Sequence, residues 1–82
     1  MTTTSKDNFV PNEETAIKIA VAVWEPIYGA EHIANEKPYH ARLTNGVWIV
    51  EGSLPKGAEI GGVAEAQITK ENGKILNVIH GQ

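Results

Sequence analysis

Pro38-Tyr39-His40-Ala41-Arg42-Leu43-Thr44-Asn45-Gly46-Val47-Trp48-Ile49-Val50-Glu51 is the stretch that decides the fold. Residues 39–43 alternate apolar and polar side chains, Asn45-Gly46 is a strong turn signal, and residues 47–51 are β-branched and aromatic. A hairpin follows from that pattern, with two registers open to it. If Asn45-Gly46 is a two-residue turn, Leu43 pairs with Trp48 and His40 with Glu51. If Thr44-Asn45-Gly46 forms a three-residue loop with a bulge, Trp48 joins the face of His40 and Arg42.

Downstream, residues 63–69 and 74–80 flank Glu71-Asn72-Gly73 as a second hairpin. A three-residue loop there sets Leu76 and Val78 on the face of Ala64, Ala66 and Ile68, which is the cleaner apolar side. By analogy the first hairpin is read the same way, and Trp48 is expected on the sheet face away from the main helix. The glycine-rich connection of residues 52–62 is long for a strand linker and of the kind that carries binding residues.

Upstream the period is helical. Asn12 can cap free N–H groups and Glu13 and Glu14 suit the positive end of a helix dipole, so a helix is expected from residue 13. Ile17, Ala20, Val21, Trp24 and Tyr28 form its apolar stripe, and Ala16, Ile19 and Val23 widen it. Such a helix needs cover on more than one side. Pro26 is expected to bend or end it near Trp24 and Glu25. Gly29 then separates a short second helix over residues 30–36, blocked by Pro38. Residues 1–8 are polar and without period and are read as a disordered tail, leaving one domain over 9–82. The sum is an α+β chain: a long helix and a short one packed on a four-stranded antiparallel meander.

Eighty-two residues with 7 basic and 10 acidic side chains, a net charge of −3 and no cysteine make one small, mildly acidic domain. Scattered Lys and Arg give no nucleic-acid footprint, and no stretch has the length of a membrane span. The first residues have no apolar run of the signal-peptide kind, so the expected compartment is cytoplasmic, or periplasmic if a leader has been removed.

Candidate chemistry is sparse. His32, His40 and His80 show neither H-x-x-x-H nor H-x-H spacing, and no metal site is expected. His40 opposite Glu51 has the makings of an acid/base pair, but a cross-strand surface pair explains it more simply. No phosphate loop or nucleophile elbow is present, so neither catalysis nor a cofactor is expected. Trp24 is assigned to the core, and Trp48 is the undecided aromatic. Glu51, Glu59 and Glu65 either line a face for a basic partner or are ordinary solvated charge.

In order along the chain stand Val10-Pro11-Asn12-Glu13-Glu14-Thr15-Ala16, Pro26-Ile27-Tyr28-Gly29, Glu36-Lys37-Pro38-Tyr39, Asn45-Gly46-Val47-Trp48-Ile49-Val50-Glu51-Gly52, Leu54-Pro55, Gly61-Gly62 and the closing run of residues 73–81. Taken together, these motifs resemble the small NTF2-fold immunity proteins of bacterial polymorphic-toxin systems. The resemblance implies an NTF2-like (cystatin-like) cone, with a curved sheet around the long helix. It also implies a protein that binds and neutralises a cognate toxin domain. The leading reading is a non-catalytic protein that acts by occlusion, and a monomer or weak homodimer is expected. No catalytic residues come with the family. The expected partner-binding surface, in the favoured register, is His40, Arg42, Trp48, Glu65 and Gln67, an aromatic anchor ringed by charge. The runner-up is a small-ligand-binding or isomerase-like domain with His40, Glu51 or His80 in the cone mouth. A peptide-binding or protease-inhibitory module is a third reading.

Overall fold

The computed structural model describes residues 8–54 and 62–81. The expected tail, apart from Asn8, and most of the glycine-rich connection, including Glu59, lie outside the described residues. The elements are α1 (Glu13–Tyr28), α2 (Ala30–Ala34), β1 (His40–Thr44), β2 (Val47–Glu51), β3 (Ala64–Thr69) and β4 (Ile75–His80). All four strands form one antiparallel sheet in the order β1-β2-β3-β4, with α1 packed across β1, β2 and β3.

α1 begins where the cap predicts. The Asn12 Oδ1 accepts hydrogen bonds from the Thr15 N–H at 2.9 Å and the Thr15 hydroxyl at 2.8 Å. Of the two outcomes expected at Pro26, the helix does not end there: it runs on to Tyr28, and the Gly29 N–H still reaches the Glu25 carbonyl at 2.8 Å. Pro26 lies in the last turn, where its missing N–H removes a single bond, to the Ala22 carbonyl.

The buried stripe is Ala16, Ala20 and Trp24, and Ile17, Ile19, Val21 and Tyr28 pack partly buried beside it. Val10, Ile33, Trp48, Val50, Ala64, Ala66 and Ile68 complete the core. Alanines on both facing surfaces let helix and sheet approach, and the two indoles supply the bulk.

The first hairpin takes the two-residue turn, which corrects the register expected above. Thr44 pairs with Val47, Leu43 with Trp48 and His40 with Glu51. Asn45 at φ 49° and Gly46 at φ 77° both adopt left-handed backbone, the pair of conformations that a type I′ turn requires and that matches strand twist. Trp48 therefore points into the core, 7% exposed, and its indole N–H donates to the Val10 carbonyl at 2.8 Å. Burial of an indole with a satisfied donor outweighs anything its outward placement would gain.

The second hairpin is partly as expected. Val78 stands opposite Ala66 and packs on the core, but the irregularity lies within the ladder at Gln67/Ile68, and Leu76 is pushed out to solvent. A wider turn closes the hairpin, with the Thr69 N–H donating to the Lys74 carbonyl at 2.9 Å and the Gly73 N–H to the Thr69 carbonyl at 3.0 Å. Residues 9 and 10 lie against this turn, the Phe9 N–H bonding the Glu71 carbonyl and the Val10 N–H the Lys70 carbonyl, both at 3.1 Å.

Candidate functional site

Strand alternation sorts the polar side chains onto two faces. Trp48, Val50, Ala64, Ala66 and Ile68 point to the helices, so the residues between them point away. The outer face thus carries His40 and Arg42 from β1, Ile49 and Glu51 from β2, Glu65 and Gln67 from β3, and Ile79 from β4. Of the five residues expected to bind a partner, His40, Arg42, Glu65 and Gln67 share this face. Trp48 does not, because the register turns it inward.

The face is internally bonded. Arg42 Nη1 reaches Glu51 Oε1 at 3.3 Å, a diagonal cross-strand pair, and the Gln67 side-chain amide donates to Glu65 Oε2 at 3.2 Å. Although His40 is directly opposite Glu51 in the ladder, the Glu51 carboxylate is engaged by Arg42. Ile79, 45% exposed, lies opposite Glu65, and Ile49 stands half-buried in the middle of the sheet. These two isoleucines take the apolar part that the expected anchor does not fill.

A second polar cluster sits on the helix side. Glu36, just after α2, is 1% exposed. Its Oε1 accepts the Ala64 N–H at 2.8 Å, and its Oε2 lies 2.8 Å from His80 Nε2 and 3.2 Å from His32 Nε2. His32 Nε2 and His80 Nε2 are 3.3 Å apart. The carboxylate fits because residue 52 is glycine: a Cβ there would lie 2.5 Å from Glu36 Oε1 and 2.9 Å from Glu36 Cβ. The Glu36 hydrogen bond holds the His80 imidazole above its ordinary pKa; burial pulls it down, and the Gly81 carbonyl and the Glu36 charge add to the rise. Nearby, the Tyr39 hydroxyl donates to the Ile33 carbonyl at 2.8 Å. Burial first, and then the charges of Glu25 and Glu36, push its pKa up.

This cluster is not among the sites expected from the sequence. His32 and Glu36 stand one helical turn apart, a legible H-x-x-x-E spacing, but the third member arrives from the last strand. The structure also separates the groups of the runner-up reading. His40 and Glu51 are on the outer face, whereas His80 is bound to Glu36 on the other. They do not converge on one pocket.

No helix among the described residues is long and apolar enough to cross a membrane. Two proteins of Escherichia coli (strain K12) are similar to the chain. Uncharacterized protein YhhH is 35% identical over 75 residues, covering 92% of this chain and 59% of that protein. Uncharacterized protein YbbC is 36% identical over 76 residues, covering 93% of this chain and 62% of its own length. The chain thus spans about three-fifths of these curated relatives. No solved structure matches it. The family model described as NTF2 fold immunity protein matches residues 15–82, and the long helix, short helix and four-stranded antiparallel sheet are consistent with an NTF2-like fold. Over nearly its whole length, then, this chain belongs to the NTF2 fold immunity protein family.

Proposed function

We propose that this protein neutralises a cognate toxin domain by binding it through the outer sheet face and occluding its working surface, without catalysis of its own. Membership of an immunity-protein family over residues 15–82 is the observation that carries this reading. The outer face supports it. Arg42 and Glu51 offer an ion pair, Glu65 offers a further carboxylate, His40 and Gln67 offer hydrogen-bonding groups, and Ile49 and Ile79 offer apolar contact between them. A standard interface takes about 800 Å² from each partner, so on so small a domain it would use most of one sheet face.

The test is co-expression of the toxin domain encoded beside this gene with wild type and with an Arg42→Glu/Glu65→Lys variant shown by circular dichroism to be folded. Wild type is expected to protect cells and to co-purify with the toxin domain, and the double variant to lose both. Full protection by the variant would remove this face from the proposal. Failure of the wild type to bind or protect would remove the toxin-neutralising function.

A further inference from the structure

Three donor atoms meet at one point between α2 and the end of β4. The edges of their triangle are 3.3 Å between His32 Nε2 and His80 Nε2, 3.2 Å between His32 Nε2 and Glu36 Oε2, and 2.8 Å between His80 Nε2 and Glu36 Oε2. Donors bound about 2.0–2.2 Å from a tetrahedral zinc ion stand about 3.3–3.6 Å from one another. The first edge reaches that range, the second falls about 0.1 Å short of it, and the third needs to open by about 0.5–0.8 Å.

The outer atoms of the cluster are held in the way metal ligands are held. His80 Nδ1 lies 2.9 Å from the Gly81 carbonyl, which can only accept, so Nδ1 carries the proton and Nε2 is turned to the cluster. Glu36 Oε1 is occupied by the Ala64 N–H, and the Glu36 carbonyl accepts the Ser53 N–H at 2.7 Å, which fixes the residue at both ends and leaves Oε2 facing the two imidazoles. The Tyr28 ring lies 5.0 Å from the His80 ring, centroid to centroid, and restrains its orientation. A single proton lies along one edge of such a triangle at a time, whereas a cation near its centre engages all three donors.

We infer that His32, Glu36 and His80 form a binding site for a zinc-class divalent ion, with two imidazoles and one carboxylate as ligands and a water molecule completing the tetrahedron. The donor set suits this class: imidazole favours zinc and its neighbours over magnesium or calcium, and no thiolate is present to select copper(I). His32, with a side chain 55% exposed, gives the ion and the water a route from solvent. The cluster lies on the helix side of the sheet, so its metal chemistry is independent of partner binding on the outer face.

The experiment uses the untagged full chain stripped with a chelator and titrated calorimetrically with zinc chloride, then with cobalt(II) read by visible absorption. Expected are one ion per chain, a rise in melting temperature reversed by chelator, and the intense visible bands of tetrahedral cobalt. His32→Ala removes an exposed ligand without touching the core and is expected to keep the wild-type circular dichroism while weakening zinc binding at least about tenfold. Glu36→Gln is expected to lose binding too, and the His32 variant decides the matter if that protein does not fold. Absence of stoichiometric binding, equal affinity in wild type and His32→Ala, or only the weak bands of six-coordinate cobalt would overturn the site and leave an ion-paired His80–Glu36 cluster in its place.

Discussion

Trp24 and Trp48 sit in the same core, one from the helix and one from the sheet, and both are almost wholly removed from solvent. Each substitution to Ala is expected to destabilise the fold by about 3–5 kcal/mol in urea denaturation. A much smaller loss at Trp48 would return the ring to the outer face and with it the three-residue loop. Gly52 is decisive for another reason. Its backbone is ordinary, but Glu36 fills the space a side chain would take. Gly52→Ala must displace a buried carboxylate bonded to Ala64 and is expected to cost about 1–3 kcal/mol, read as a lower denaturation midpoint at unchanged slope.

Elements were legible where a local rule governs them. The cap at Asn12, the stripe from Ala16 to Trp24 and the turn residues of both hairpins gave the helix start, the helix face and the strand order before any geometry. The register of β1 on β2 was not legible, since an Asn-Gly pair serves either turn and the choice depends on Trp48 finding the Val10 carbonyl 38 residues away. For the same reason the His32, Glu36 and His80 cluster could not be assembled from spacing alone, as Glu36 and His80 lie 44 residues apart. Gly46 tests the turn directly. With φ at 77° it resists any side chain, so Gly46→Ala is expected to lower stability by about 1–2 kcal/mol, measured by thermal or urea unfolding. The segment before α1 divides sharply at Phe9. Deleting residues 1–8 removes no apolar side chain beyond Met1 and, among described contacts, one between Lys70 Nζ and Asn8, so the melting temperature should hold. Deleting residues 1–10 also removes buried Val10 and should lower it by several degrees.

At the scale of the whole molecule the sheet divides, among the described residues, two kinds of chemistry: the Arg42–Glu51 ion pair and isoleucines outside, and a buried core with the Glu36 cluster inside. Because the outer charges are exposed or half-exposed and of mixed sign, they should act on the rate of encounter with a partner more than on final affinity. Raising salt from about 0.05 M to 0.5 M should slow association moderately while changing dissociation little, which stopped-flow mixing with the toxin domain would read. The bond from the Trp48 indole to the Val10 carbonyl has one more consequence. Trp24 is equally buried, yet its indole N–H has no partner among the described residues. The two indole protons should therefore give separate signals in a proton magnetic resonance spectrum. Loosening residues 8–10 should shift the Trp48 signal and leave that of Trp24 in place, so the chain carries its own reporter of whether its N-terminal segment is docked.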